Sequence, residues 1–217
     1  MIKYFQKLKA KKGFTLVELI VVIAIIGVLA AILIPTMLGY VTQSKVTSAN
    51  STAASIKNEI DNFLTNADTH SKGMKKGTEH SYLTFTIASG AWNVSVQSPS
   101  AFVDSAAWVN TAGHSAGSRV STDYNNASLS LVDDLADLFP EVKTGIISAA
   151  LVGGKCVAVA YTTETATKTG VHNYTEGITS AAAVLASAPI WDASTPGICG
   201  GYIVGTAPAL GYSATSA

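Results

Sequence analysis

Charge is scarce in this 217-residue chain: Asp, Glu, Lys and Arg together make up 13% of it. Mean hydropathy is +0.33, which is apolar for a soluble protein. The formal net charge is zero but unevenly placed. Residues 1–13 carry Lys3, Lys7, Lys9, Lys11 and Lys12 and no acid, and the remaining 204 hold nine basic and 14 acidic side chains. A body with that balance lacks the basic footprint of a polyanion binder, which argues against nucleic acid as a partner. Histidine is scarce too. His70, His80, His114 and His172 stand apart with no metal-ligand spacing, so no metal centre and no cofactor is expected. No internal repeat is present. No lysine or arginine occurs between Lys12 and Lys45.

That last gap holds the most informative stretch. Phe14 to Ile34 is 21 residues long and apolar except for Thr15 and Glu18. As a helix it would span about 31 Å, enough for the hydrocarbon core of a bilayer. It is too long for the apolar core of a secretory signal, and Ala30-Ala31 makes a poor cleavage site. The plain reading is a single-pass anchor with the lysines on the cytoplasmic side. Glu18 argues for more than an anchor, because a carboxylate in lipid needs a cationic partner and the segment contains none. A cut after Gly13 would create such a cation, the α-amino group of Phe14.

Beyond Ile34, Pro35 removes a helical hydrogen bond and Gly39 weakens the helix, so a bend is expected around residues 32–40. The helical pattern then resumes. Val46, Ala49, Ala53, Ile56, Ile60, Phe63 and Ala67 form a stripe that alternates steps of three and four. Thr47, Asn50, Lys57, Asn58, Asp61 and Asn62 fall off it. A coiled-coil seam would run longer and carry flanking charge pairs, so the stripe is read as packing on the chain's own sheet.

Turn signals begin at residues 67–80, and the period then changes to two. "YLTFTIA" and "AWNVSV" flank Ser89-Gly90, while "GIISAALV" and "KCVAVAYTT" flank Gly153-Gly154, giving two hairpins. "ICGGYIVG" (198–205) is a third strand candidate. Residues 130–139 read as a short helix stopped by Pro140, with Leu131, Leu135, Leu138 and Phe139 on one face. Residues 180–188 form another helix candidate, and 99–128 read as a long irregular excursion. The fold class is α+β, one long N-terminal helix against an antiparallel sheet.

Other signals weigh less. "GHSAG" (113–117) matches a nucleophile elbow but lacks the strand-turn-helix setting that the motif needs, so no enzyme is expected. Asp133, Asp134 and Asp137 read as the solvated face of the short helix. Lys72, Lys75 and Lys76 read as a solvated basic loop. Asn50, Asn93, Asn126 and Asn173 begin glycosylation sequons, to which no glycan is assigned. Cys156 and Cys199 are the only cysteines, and both lie in the part that would be exported. Export favours a Cys156–Cys199 disulfide, worth about 4 kcal/mol in the chain-entropy model. Two buried free thiols are the alternative.

"KKGFTLVELIVVIAIIGVLAAILIP" (11–35) resembles the N-terminus of type IV prepilins. The resemblance is carried by the basic leader, Gly13, Phe14, Thr15, Leu16, Glu18, the apolar run and Pro35, and loosely by the helix that follows. It implies cleavage at Gly13–Phe14 by a membrane-embedded prepilin peptidase, which also methylates Phe14. It implies that Phe14 and Glu18 act in assembly, the glutamate of one subunit pairing with the amino terminus of a neighbour. It matches Pro35 to the helix bend, to which Gly39 adds. The implied organisation is a leader 1–13, a transmembrane and assembly helix 14–34, an amphipathic half 35–67 and an α+β head 68–217. The expected partners are copies of the chain in a helical filament, the peptidase, the membrane before assembly and the pilus assembly machinery. The expected location is the inner membrane with a cytoplasmic N-terminus, then an extracellular type IV pilus. A minor pilin or a pseudopilin of a secretion or DNA-uptake machine is the alternative, and a membrane-anchored enzyme or adhesin the third reading.

Overall fold

The computed structural model describes residues 14–115, 124–163, 198–199 and 202–208. The chain divides into two compact units at Thr42–Gln43. Helix α1, Leu16–Thr69, contributes to both.

The first unit is the apolar part of α1. Its side chains from Leu16 to Val41 are largely exposed, as nothing in this unit packs on them. Pro35 lies inside the helix, which continues past it without a break. Proline has no N–H for the carbonyl of Ala31. Hydroxyls supply local bonds nearby: Thr36 Oγ1 donates to the Leu33 carbonyl at 2.9 Å and Thr42 Oγ1 to that of Leu38 at 3.1 Å.

The second unit is the head. Strands β1 (His80–Ala88), β2 (Ala91–Gln97), β3 (Thr111–His114), β4 (Gly145–Val152), β5 (Lys155–Thr162) and β8 (Gly205–Ala207) form one antiparallel sheet, in the order β3-β2-β1-β4-β5-β8. Strands β6 (Ile198–Cys199) and β7 (Tyr202–Ile203) pair separately. The segment read as one strand at 198–205 is therefore three short pieces. Both expected hairpins form. Ser89-Gly90 and Gly153-Gly154 have positive φ at both central residues, the turn whose twist matches that of paired strands. Leu83, Phe85 and Ile87 stand opposite Val96, Val94 and Trp92, so the alternating residues of the two strands share one face.

Six residues of the α1 stripe, Val46, Ala53, Ile56, Ile60, Phe63 and Ala67, are buried as its periodicity predicts, Ala49 is only half-buried, and Leu64, beside the stripe, is turned inward as well. It joins a single core with the inward residues of β1, β2, β4 and β5. Two side chains from the off-stripe set also face the sheet. Asn50 Oδ1 accepts the N–H of Thr206 at 2.7 Å, and Asp61 Oδ1 accepts that of Cys156 at 2.6 Å. They satisfy strand donors that would otherwise be stranded under the helix. Helix and strand approach so closely at β8 that a Cβ on Gly205 would lie 2.0 Å from the Ala49 carbonyl oxygen.

Helix α2, Ala127–Leu138, lies against β2 and β3. Asn126 caps it by accepting the N–H of Leu129 at 3.3 Å. Leu131, Leu135 and Phe139 are buried as expected, but Leu138 is turned outward. The described part of the excursion at 99–128 is more ordered than its composition suggests, with 3-10 turns at Pro99–Ala101 and Ser105–Ala107 followed by β3, and α2 beginning at Ala127. The helix candidate at 180–188 lies outside the described residues.

The Cys156–Cys199 bridge is not made: Cys156 carries a free thiol. Its backbone is tied to Asp61 and its side chain belongs to the core, where Sγ donates to the Ala158 carbonyl at 3.7 Å. Cys199 stands in the separate β6–β7 pair, and its side chain lies outside the described residues. Burial, with the Asp61 carboxylate adding to it, pushes the Cys156 thiol far up, which makes it inert.

Two outcomes follow from this packing. Gly205→Ala must separate β8 from α1 and is expected to cost about 1–3 kcal/mol, read as a lower urea midpoint with unchanged slope. Cys156 is expected to resist a thiol alkylator in the native protein and to react once the protein is unfolded without reductant. Failure to react after unfolding would mean that the thiol is oxidised.

Candidate assembly site

The helix start is where the sequence reading concentrates, and there Glu18 has a local partner. Thr15 N–H donates to Glu18 Oε2 at 2.9 Å, and the Thr15 hydroxyl donates to the same oxygen at 2.8 Å. In return the N–H of Glu18 donates to Thr15 Oγ1 at 3.2 Å. This is a capping box, with threonine and glutamate three residues apart satisfying each other's exposed donors. The acid is thus held at the first turn of α1, where the helix dipole favours negative charge. The Thr-x-x-Glu spacing is visible in the sequence, although hydropathy draws attention to the acid alone. Phe14 precedes the helix and is 77% exposed. Gly13 and the lysine leader lie outside the described residues.

From Leu16 onward the helix offers apolar surface on every side. Its most apolar 18-residue window has a mean hydropathy of 3.2 and no buried share, which meets the length and composition of a membrane span. An all-round apolar helix requires a non-aqueous surrounding. Lipid and the apolar helices of identical subunits both satisfy that condition.

The head holds its polar groups in structural pairs. Lys72 Nζ bonds the carboxylate of Asp104, and the Trp108 indole donates to the Lys72 carbonyl at 2.7 Å. Lys75 Nζ donates to the Ser100 carbonyl at 2.7 Å, and Lys76 pairs with Asp68 at 3.2 Å. The three lysines read as a solvated loop therefore clip residues 72–76 to their neighbours. The Lys72 bond, then the N–H of Ala106, hold the Asp104 carboxyl below its ordinary range. Asp133 is buried at 2% exposure and faces His114 at 3.3 Å, so neither belongs to a solvated face. Strand β3 brings them together, and a four-residue strand leaves little periodic trace. His70 stacks on Tyr124 with ring centroids 4.6 Å apart.

The nucleophile-elbow reading has no structural footing. Gly113 and His114 lie in β3, which pairs antiparallel with β2, rather than in a strand-to-helix turn. Ala116 and Gly117 lie outside the described residues. Among the described residues no group of His, Cys, Asp and Glu is placed to hold a metal ion. Three sequon asparagines use their amide oxygens internally: Asn50 on Thr206, Asn93 on Gly113 and Asn126 on Leu129.

Comparison with known proteins agrees with the geometry at the helix start. Residues 8–34 match the family model of the prokaryotic N-terminal methylation motif. A fimbrial protein of Pseudomonas aeruginosa is 34% identical over 116 residues, covering 52% of this chain and 75% of that protein. The type IV major alpha-pilin of Moraxella bovis is 46% identical over 57 residues, 26% of this chain and 36% of that one. The type IV major fimbrial protein FimA of Dichelobacter nodosus is 43% identical over 63 residues, 29% of this chain and 39% of that one. No solved structure gives a significant match. With an apolar N-terminal helix, a capped glutamate at its start and an antiparallel sheet against its second half, this chain belongs to the type IV pilin family, whose members are structural rather than enzymatic.

Proposed function

We propose that the chain is the main subunit of an extracellular type IV pilus, released from its leader by cleavage between Gly13 and Phe14 and methylated at Phe14. The observation that carries this reading is the pairing of a capped acid with an uncovered apolar helix. Thr15 and Glu18 satisfy each other at the start of α1, and the apolar side chains of the helix from Leu16 to Val41 are largely exposed. Before assembly the lysines hold the site at the cytoplasmic face and the helix spans the inner membrane. On assembly the ammonium of a neighbouring Phe14 approaches Glu18, and apolar helix surface replaces lipid. An acid and an amine in a low-dielectric core attract strongly, though desolvation offsets much of the gain. Because one stagger alone brings them together, the pair sets axial register. Pro35 and Gly39 give the helix a soft region between its membrane part and the head. The partners are copies of the chain, the prepilin peptidase and the assembly machinery.

Two substitutions test the reading. Gly13 exchanged for a bulky residue is expected to leave the leader attached, so that N-terminal sequencing no longer finds Phe14 first and sheared filaments are absent. Normal filaments from that variant would disprove the cleavage site. Glu18→Gln is expected to insert and fold normally but to yield few filaments alone, since insertion of a neutral amide is the easier process. Co-expression with the wild-type chain should partly restore its incorporation, because the variant still offers its own ammonium. Full filament yield from Glu18→Gln alone would show that packing by itself sets the stagger.

A further inference from the structure

The apolar surface of α1 outlasts the membrane span. Phe14 to Ile34 already fills a hydrocarbon core of about 30 Å. Beyond Pro35, the side chains of Met37, Leu38, Tyr40 and Val41 are exposed as well, and no charged residue follows until Lys45. The pattern changes at this point. At about 100° per residue, the four apolar side chains fall within an arc of about 160°. Pro35, Thr36, Gly39 and Thr42 occupy the opposite arc. From Leu19 to Ile34 the helix is apolar on every side, and after Pro35 on one side only.

This one-sided surface is not the start of the stripe that packs in the head. That stripe begins at Val46. Carried back in steps of four, three and four, it falls on Thr42, Gly39 and Pro35. A filament core surrounds each helix with neighbours, and the surface that suits it is the all-round one before Pro35. An apolar arc backed by a polar one suits a boundary, with an apolar medium on one side and water on the other. The membrane interface is such a boundary, and it is continuous with the span. It adds roughly 5–8 Å of headgroup layer to each face of the hydrocarbon core. Tyr40 lies six residues past Ile34, about 9 Å along the axis. Side chains on a helix lean toward its N-terminus, which returns the Tyr40 ring toward the bilayer. Lys45 is exposed and, at about 17 Å along the axis, is clear of the layer.

We propose that Met37, Leu38, Tyr40 and Val41 form an interfacial band seated in the outer headgroup layer of the membrane, with Tyr40 as its anchor. The Tyr40 ring lies on acyl chains while its hydroxyl reaches phosphate and water, the placing that enriches tyrosine at membrane surfaces. Pro35 and Gly39 ease a turn of the segment toward the plane of the interface. The band rests on the single-pass membrane reading above and adds a second fixed end to the span. Lysines hold the cytoplasmic end. Tyr40 holds the outer end, 26 residues after Phe14, and so sets the depth at which Phe14 is presented to the peptidase.

Spin labels on the full chain test this in vesicles of phosphatidylethanolamine and phosphatidylglycerol. Each label is carried by one introduced cysteine in a Cys199→Ser background, where the remaining Cys156 is buried. Labels at Met37, Leu38 and Val41 are expected to favour collision with oxygen over a water-soluble nickel chelate several-fold more than labels at Thr36, Gly39 and Thr42. Tyr40→Ala is expected to lower the oxygen preference at Val41 several-fold, and Tyr40→Trp to retain it. Equal access of the chelate to all six positions, or equal preference for oxygen at all six, would overturn the band. So would a preference that disappears as the chain is diluted in lipid, because a second copy would then be the cover. An unchanged label at Val41 in Tyr40→Ala would overturn the anchor. Extraction of the wild-type chain by alkaline carbonate is a separate outcome, and it would remove the membrane span itself.

Discussion

The head depends on the seating of the second half of α1 against the sheet. Seven residues of that stretch are buried, and Ile60, Phe63 and Leu64 reach the same core as Leu83, Phe85 and Ile147. Hydrophobic burial supplies the attraction but tolerates sliding along the helix axis. Asn50 and Asp61 remove that freedom, because each accepts one particular strand N–H, of Thr206 and Cys156. The two contacts lie eleven residues apart on α1, so β5 and β8 are fixed to the helix at separate heights. Gly205 permits the closest of these approaches, since any side chain there would meet the backbone at Ala49.

The first part of the same helix meets a different demand. It must be tolerated in lipid and must also present a surface that other copies can use. Continuous Leu, Ile, Val and Ala serve both conditions, because lipid tails and apolar side chains are alike as solvents. An acid placed there without a partner would be costly. The capping box relieves that cost locally, by letting Glu18 close the helix start with Thr15. In the assembly proposed above, Glu18 would exchange this local arrangement for a neighbour's ammonium. This is the physical sense of finding the acid at the start of the span rather than in its middle.

Around the head, polar side chains serve mainly as fasteners. The segment after α1 is held by Lys72 on Asp104, Lys75 on the Ser100 carbonyl and the Trp108 indole on the Lys72 carbonyl. Trp108 also stacks on Phe102 at 4.0 Å. These bonds join residues about thirty positions apart. They give a fixed form to a stretch whose Ser, Gly and Lys content reads as loop.

The sequence by itself determined the elements whose signal is local. The apolar run from Phe14, the α1 stripe and the two glycine-bearing hairpin turns all follow from periodicity or turn chemistry within a few residues. The family followed from the same short stretch at Lys11–Pro35. What depends on distant partners was not legible. Asn50 and Asp61 look like solvated helix positions until a strand N–H is placed beside them. Asp133 looks solvated until β3 brings His114 to it, and Leu138 looks buried until α2 is rotated against β2 and β3. Cys156 and Cys199 look like partners because they are the only two cysteines. The tertiary structure instead puts one in the core beneath α1 and the other in a separate strand pair. Periodicity states which face of an element is apolar. Only the assembled sheet and helices decide what each polar side chain at the margin of that face can reach.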